Sequence, residues 1–208
     1  KDKRGNIWMA TRGDGLYVGD RHYRRGGTGK DYLLSDNFHD IAEDGKGRIW
    51  LSTNEEGLIM AEYAEDGSIS FQQFLARNYN EMRVRQIALD NKGRLWISSY
   101  NGLYMLDTNI DDVNDNDFKC FNIDNNTLSF NEVKCVTCSS DGYLWIGGKG
   151  SGVVRCKYDE QGQLITLTRI TTKEGLAGNT ISSITEDSEG NIWAATENGL
   201  SMIYDKDL

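Results

Sequence analysis

The sequence predicts an all-β fold, a β-propeller fragment in which four-stranded antiparallel blades form an incomplete ring. The motif D-x-x-G-x-[IL]-W recurs five times, with Ser139 replacing the aspartate in the fourth copy. Its tryptophans are spaced by 42, 46, 49 and 48 residues, and a period of about 40–50 residues with strand-like content is that of a propeller blade. The copies centre on Trp8, Trp50, Trp96, Trp145 and Trp193.

The strand that carries each tryptophan supports the same fold. Over residues 7–10 and 144–147, positions on both faces of the strand are apolar or small. A sheet with one face in water would instead alternate apolar and polar residues. We therefore expect both faces to be covered by neighbouring sheets, as in radially stacked blades, with tryptophan filling the space between them.

The copy at residues 179–205 shows the order of elements within a blade. Turn residues divide it into a first strand anchored by Ile181 and Ile184 and ending at Asp187, a turn over 187–190, a second strand over 191–196, a turn over 197–199, and a third strand over 200–204 closed by Asp205. In the first turn, the aspartate can accept local backbone N–H bonds and the glycine tolerates positive φ. Fourth strands are predicted between the repeats, at 71–74, 118–121 and 167–170.

These elements predict one partial propeller over residues 1–208. We expect its repeats to span residues 1–35, 36–81, 82–130, 131–178 and 179–208. The first blade lacks its innermost strand and the last lacks its outermost strand. The segment is therefore expected to be about four and a half blades of a larger propeller.

Composition excludes several classes of protein. The 32 acidic and 23 basic residues leave a net charge of −9, and no basic stripe is present to bind nucleic acid. No stretch approaches the roughly 18 apolar residues of a membrane span, and no signal peptide is visible. No cofactor is expected.

The four cysteines, Cys120, Cys135, Cys138 and Cys156, allow core packing, one disulfide or a metal site. Core packing is favoured, because Cys156 occupies a position that is apolar or glycine in the other repeats. Cys135 and Cys138 are three residues apart on a predicted strand, so they should point to opposite faces and not share a zinc ion.

The extended pattern D-x-x-G-x-[IL]-W-[IL]-[GAS]-T-x-x-G-L resembles the two-component regulator propeller repeat. Residues 44–53 and 187–196 match it, and the Gly-Leu lead-in with a following asparagine stands at 175–181. The copies depart from it at Ser139 for aspartate, at Ser99 and Gly148 for threonine, and at Val153 for leucine.

This resemblance implies a periplasmic sensor region within an inner-membrane histidine kinase. In Bacteroidetes such regions belong to hybrid two-component systems that bind oligosaccharides and regulate polysaccharide-utilisation genes. The implied partners are an oligosaccharide, the remaining propeller and signalling domains of the parent chain, and a second copy in a homodimer. The 208 residues themselves are not expected to be an enzyme.

A ligand site is expected on the face opposite the uniform D-x-x-G turns, where the loops vary in sequence. Sugar recognition needs aromatic platforms beside amide, carboxylate and guanidinium groups. The candidates are Arg12, Asn54, Tyr100, Asn101, Lys149, Asn179 and Glu197. An ordinary solvated face is the competing interpretation.

Two other functions stay open. The segment could be a structural or dimerisation propeller with the ligand bound elsewhere, or a propeller lyase that uses a metal and His22 or His39. Neither histidine lies in a nucleophile or metal motif, so both are expected on the surface or in turns. The acidic stretch 111–117 lacks the glycine and glutamate of a calcium loop and is predicted to be a solvated insertion.

Overall fold

The computed structural model describes residues 1–27, 32–76 and 83–204. Within these ranges eighteen strands form five antiparallel sheets that do not close into a ring, which confirms the predicted fold class. No helix in the described part of the chain is long and apolar enough to cross a bilayer.

The three middle sheets have four strands each, and the first and last have three. In chain order the sheets are β1 (Trp8–Ala10), β2 (Leu16–Val18) and β3 (Arg21–Tyr23); β4 (Phe38–Glu43), β5 (Ile49–Thr53), β6 (Leu58–Tyr63) and β7 (Ile69–Phe74); β8 (Val84–Leu89), β9 (Arg94–Ser99), β10 (Gly102–Asp107) and β11 (Lys119–Phe121); β12 (Val133–Cys138), β13 (Leu144–Gly148), β14 (Val153–Tyr158) and β15 (Leu164–Ile170); β16 (Ile181–Glu186), β17 (Ile192–Thr196) and β18 (Gly199–Ile203).

Every sheet is a meander in which successive strands pair with each other. The predicted second, third and fourth strands agree with these bounds to within a few residues. Asp205, expected to close the last strand, lies outside the described residues. The first strands β4, β8, β12 and β16 lie next to one another from sheet to sheet. This arrangement places the start of each first strand at the centre of the arc.

The tryptophans fill the space between sheets, as expected. Trp50 belongs to one apolar cluster with Leu95 of the third sheet. Trp145 belongs to another with Ile184 of the fifth sheet. Trp50, Trp145 and the equivalent Trp96 have no exposed surface. Each inter-sheet layer therefore depends on an indole ring from the preceding sheet.

The spacing of six residues between tryptophan and the preceding aspartate, or Ser139 in the fourth copy, is the same in each copy of the motif, and it has a direct structural cause. In every copy the indole Nε1–H donates to the side chain six residues earlier. The pairs are Trp8 and Asp2 (2.7 Å), Trp50 and Asp44 (2.9 Å), Trp96 and Asp90 (3.1 Å), Trp145 and Ser139 (3.2 Å), and Trp193 and Asp187 (2.8 Å). A buried indole N–H needs an acceptor, and a serine hydroxyl provides one where the aspartate is missing.

The same side chain also organises the turn. The Asp44 carboxylate accepts backbone N–H bonds from Lys46 and Arg48 and a 2.7 Å bond from Arg48 Nε. The motif glycine adopts φ of +81° at Gly47, a conformation that costs glycine little. Arg48 then reaches the third sheet, where its Nη2 donates to the Thr108 carbonyl at 2.5 Å. One carboxylate thus links a turn, an indole and the adjacent sheet.

The acidic stretch 111–117 is largely exposed, as predicted, but Val113 and three side-chain contacts attach it to the second sheet. Val113 is buried in the cluster between the second and third sheets. Asn114 caps a single 3-10 turn, Asp115–Asp117, and Asp115 Oδ1 accepts the backbone N–H of Leu75 at 2.9 Å. Lys46 forms a salt bridge with Asp111. The acidic side chains therefore tie the connector to the second sheet.

All four cysteines are free thiols. Cys135 packs in the cluster between the fourth and fifth sheets, and Cys138 against the cluster between the third and fourth. They occupy opposite faces of β12, as the strand pattern predicts. Cys156 is fully buried. Burial raises the pKa of Cys135, Cys138 and Cys156 to about 12.

Removing the Asp44 carboxylate should destabilise the fold strongly. Asp44→Ala leaves the Arg48 guanidinium and the Trp50 N–H buried without their acceptor, and breaking a buried ion pair costs about 3–5 kcal/mol. Ser139→Ala, the matched change in the fourth sheet, removes the bond from Trp145 and the hydroxyl's bonds to Asp141 and to the Tyr143 carbonyl. It breaks no ion pair and should cost less, about 1–3 kcal/mol. Urea unfolding followed by tryptophan fluorescence measures the free energy of unfolding of both variants. Equal losses of stability in the two variants would contradict this prediction.

The turn aspartates should also make stability depend on acid. Hydrogen bonds from Trp193 and Asn191 lower the pKa of Asp187 from 3.8 to about 2. Since the folded pKa is the lower one, the stabilisation is complete above about pH 4 and is lost as pH falls towards 2. We expect Asp187→Asn to weaken this loss, measured by urea midpoints at pH 7, 4, 3 and 2. Removal of the exposed neighbouring charge in Glu189→Gln should leave the parent profile unchanged.

Candidate ligand-binding site in the central cavity

Each of the four first strands has a register irregularity close to its start. The shifts fall between Phe38 and Asp40, Val84 and Ile87, Val133 and Cys135, and Ile181 and Ser183. A bulge of this kind bends a strand and redirects a side chain. The residues that follow the first paired position are His39, Arg85, Lys134 and Ser182, and all four line one cavity.

The bulged backbone is held by the second strand of the preceding sheet. Ser52 Oγ donates to the Arg85 carbonyl at 2.9 Å, and Ser98 Oγ lies 3.4 Å from the Lys134 carbonyl. The equivalent position in the fourth sheet is Gly147, where an added Cβ would lie 2.6 Å from Cβ of Ile181. A serine hydroxyl therefore binds the backbone at the bulges of the third and fourth sheets. At the bulge of the fifth sheet, close packing of Ile181 on Gly147 replaces it.

The first strands are also joined directly to one another. Asp40 Oδ2 accepts the backbone N–H of Ile87 at 3.0 Å, and Gln86 Oε1 accepts that of Val136 at 3.3 Å. Asp40 and Gln86 occupy the same position in successive first strands. These bonds set the separation of the bulges around the centre of the arc.

The resulting cavity has a volume of about 310 Å³. Its lining comes from all five sheets, because Arg12 follows β1 and the other residues lie on the first strands. The lining side chains are polar throughout, and they are Arg12, His39, Asp40, Arg85, Gln86, Lys134, Ser182 and Ser183. Three of them are permanent cations and one is a carboxylate. The cavity can therefore bind a polar ligand through several donors.

Three of the sequence-predicted residues meet at this cavity. Arg12 lines it. The Asn54 side chain hydrogen-bonds to the His39 ring, and the Tyr100 hydroxyl accepts a 2.7 Å bond from Arg85 Nη2. Asn54 and Tyr100 thus hold lining side chains in place.

The other four predicted residues lie away from the lining. Lys149 is exposed, and Asn101 uses its backbone carbonyl to accept a long 3.5 Å bond from Asn122. Asn179 Oδ1 accepts the Thr172 N–H at 2.8 Å. Both Glu197 carboxylate oxygens accept backbone N–H groups, from Asn179 at 3.1 Å and Thr180 at 2.6 Å. Asn179 and Glu197 therefore fasten the loop that leads into β16.

Sequence reasoning missed Arg85, Lys134 and Asp40, and it placed His39 on the surface or in a turn. That placement is wrong for His39, which is partly buried on β4. The signal was present as an apolar–x–x–apolar spacing in each first strand, for example Phe38 to Ile41. Apolar residues three apart break the alternation of a regular strand, and here they mark the bulge.

Burial and neighbouring charges shift the protonation of the lining. Burial lowers the pKa of His39, and Arg12 and Arg85 add to this, while the Asn54 bond and Asp40 oppose it. Burial also raises the pKa of Asp40. The Arg85 hydrogen bond lowers the pKa of Tyr100.

His22 stands apart from the cavity, on β3. Its ring stacks on Tyr17 with centroids 4.0 Å apart, and its Nε2 lies 2.6 Å from the Asp14 carbonyl. Within residues 1–27, 32–76 and 83–204, no three histidine, cysteine or acidic side chains are grouped as metal ligands.

Asn54→Ala should lower the pKa of His39 further. The change removes the hydrogen bond that supports the charged ring, while burial and the two arginines still act on it. The chain has only two histidines, so ring NMR signals followed against pH measure the shift. Glu55→Gln removes an adjacent exposed charge and should leave the His39 titration in place. An unchanged titration in Asn54→Ala would show that Asn54 does not support the ring.

The two component regulator propeller family matches residues 32–55, 78–101, 127–150 and 175–198. Each match begins before a first strand and ends at or near the turn that follows the second strand. The four bulges, four of the five motif turns and four of the five tryptophans therefore fall within the matched repeats. A search of curated proteins finds no match.

Solved structures share the fold along the whole chain. The extracellular domain of BT3049 from B. thetaiotaomicron, assigned to a hybrid two component system, is 26% identical with a TM-score of 0.75, over 100% of this chain and 26% of its own. That of BT4673, also from B. thetaiotaomicron, is 18% identical with a TM-score of 0.64, over 99% and 35%. This chain thus spans about a quarter and a third of their lengths.

A catalytically inactive variant of virginiamycin B lyase from Staphylococcus aureus, solved with quinupristin, has the same fold. It is 16% identical with a TM-score of 0.67, over 100% of this chain and 66% of its own. At this identity the likeness is one of fold alone. The family matches are more specific, because they cover the motif in four successive sheets. The repeat of this chain is the two component regulator propeller repeat, and the chain belongs to that family of propellers.

Proposed function

We propose that this chain is a ligand-sensing propeller in the periplasmic region of an inner-membrane hybrid histidine kinase. It detects an oligosaccharide, and the parent protein uses that signal to regulate polysaccharide-utilisation genes. The family repeat and the likeness to the extracellular domain of BT3049 support a sensor. In this proposal the 208 residues bind ligand without turning it over.

The observation that carries the proposal is the convergence of five sheets on one polar cavity. Pockets for small ligands generally have volumes of about 300–1,000 Å³, and the cavity reaches that range at about 310 Å³. Sugar hydroxyls need several donors and acceptors, which guanidinium, amide and hydroxyl groups supply. Arg12, Gln86 and Ser182 present all three kinds from different sheets.

Tyr100 is an aromatic residue in contact with a lining arginine. Its hydroxyl binds Arg85, and the Arg85 guanidinium carbon lies 5.4 Å from the ring centroid. The tyrosine therefore orients a lining arginine. This arrangement joins the aromatic and charged groups that the sequence pattern predicts for sugar recognition.

Binding to a panel of plant and host oligosaccharides should identify a ligand, by calorimetry on the 208-residue chain. We expect Arg12→Ala and Tyr100→Phe each to weaken that binding by about tenfold, because each removes a donor or its support. Lys157→Gln, an exposed charge on β14, is the matched control and should bind as the parent does.

Thermal unfolding of each variant separates lost binding from lost folding. If folded chain binds none of the sugars, the structural or dimerisation role is favoured. Analysis of the sugar after incubation tests the lyase alternative: cleavage that disappears in His39→Gln would contradict a purely sensing role.

A further inference from the structure

We propose that the cavity selects an acidic oligosaccharide by binding its carboxylate or sulfate group between Arg12, Arg85, Lys134 and His39. This inference rests on the proposed function, which it narrows to one class of sugar. Three observations support it: the positive charge of the cavity lining, lining nitrogens without hydrogen-bond partners, and the hydrogen bonds that hold the bulged backbone.

The charge of the cavity is opposite to that of the chain. The whole sequence carries nine more acidic than basic residues. The cavity lining holds three permanent cations, Arg12, Arg85 and Lys134, against the single carboxylate of Asp40. Basic side chains gathered from three different sheets in an acidic protein produce a local positive field, and such a field attracts anions.

Within the described residues, the two arginines also lack carboxylate partners that would neutralise them. In the described residues, no carboxylate lies within ion-pairing distance of Arg12 or Arg85. Lys134 Nζ has only Glu132, at the limiting distance of 4.0 Å. Arg12 is exposed and Arg85 is half-buried, and no carboxylate of the described residues neutralises either charge, so both can bind an anionic ligand.

In the part of the cavity lining that the structure describes, two buried nitrogens have no hydrogen-bond partner. They are Arg85 Nε and His39 Nε2, and both side chains line the cavity. A buried polar atom without a partner costs about 1–3 kcal/mol. An anionic oxygen would satisfy the Arg85 donor directly, and it would satisfy His39 once the ring is protonated, when both nitrogens donate.

The one carboxylate in the lining does not compete for this role. Asp40 Oδ1 accepts the N–H of Ile41 at 2.9 Å, and Oδ2 accepts that of Ile87 at 3.0 Å. Its oxygens are therefore occupied by the backbone, and it serves to join β4 to β8. Sugar hydroxyls would find mainly cationic donors in the cavity, which favours an acidic group over a neutral one.

The Arg85 side chain and the backbone of both bulges are held before any ligand arrives. Ser52 and Ser98 fix the carbonyls of Arg85 and Lys134, and the Tyr100 hydroxyl fixes the Arg85 guanidinium. Preorganised groups lose little conformational entropy on binding. The site is therefore built for a ligand of defined charge.

Inorganic sulfate tests the anion site without knowledge of the sugar. Sulfate is titrated into the 208-residue chain against chloride at equal ionic strength, while NMR follows the His39 ring. The charges that act on this ring are Arg12, Arg85 and Asp40, with Asn54 as its hydrogen-bond partner. Bound sulfate adds negative charge beside them, so the pKa of His39 should rise and the signals should saturate.

Matched variants identify the groups responsible. Arg85→Gln should weaken sulfate binding by about tenfold or more, since a charge-assisted hydrogen bond is lost. Lys157→Gln removes an equally charged but distant side chain and should change nothing. His39 signals that respond to sulfate and chloride alike, or sulfate binding that survives Arg85→Gln, would overturn the proposal.

Paired sugars connect the anion site to the proposed function. The panel includes trigalacturonate beside its methyl ester, and sulfated disaccharides beside their desulfated forms, which distinguishes carboxylate from sulfate. We expect binding only to charged members, with loss in Arg85→Gln. A ligand that binds equally well in neutral form overturns this inference and leaves the sensor proposal standing. Sulfate binding with no bound sugar keeps the anion site and contradicts the sensor proposal.

Discussion

The hydrogen bond between each tryptophan indole and the side chain six residues before it is the interaction on which the rest of the structure depends. An indole carries one donor and a large apolar surface. It can fill the layer between two sheets only if its N–H is satisfied there. The motif aspartate does this while it also accepts the N–H groups of its own turn. A local turn and the packing of neighbouring sheets are thereby coupled through one carboxylate.

That coupling determines what happens at the centre of the arc. Sheets stacked on their tryptophans bring the first strands side by side, and each strand has a bulge near its start. The residues at the bulges line one shared cavity. Serine hydroxyls from the preceding sheets hold the bulged carbonyls. The core and the candidate site therefore depend on the same register between sheets.

The sequence predicted the strands, the turns and three residues that lie at or beside the candidate cavity. Arg12, Asn54 and Tyr100 could be predicted because they lie in loops of variable sequence on one face. The face on which a loop lies follows directly from the meander order of the strands. Arg85 and Lys134 could not be predicted from the sequence, because the side to which a strand residue points depends on the register of that strand. The attachment of the exposed acidic connector to the second sheet could not be predicted for a similar reason. Its charges suggested solvent, yet Arg48, Lys46 and the Leu75 N–H, all distant in sequence, bind it.

The sequence by itself determined the repeat, its length and the residues of each turn, because these follow from contacts within about ten residues of chain. Within the motif, the residues that hydrogen-bond to one another stand at a fixed spacing in the sequence. The motif therefore predicts local structure reliably. Only the tertiary structure decided which polar side chains meet. The basic cavity is assembled from residues as far apart as Arg12 and Ser183, and their proximity results from the stacking angle between sheets. No local pattern encodes that angle; it arises from how five separate sheets bury their tryptophans against one another.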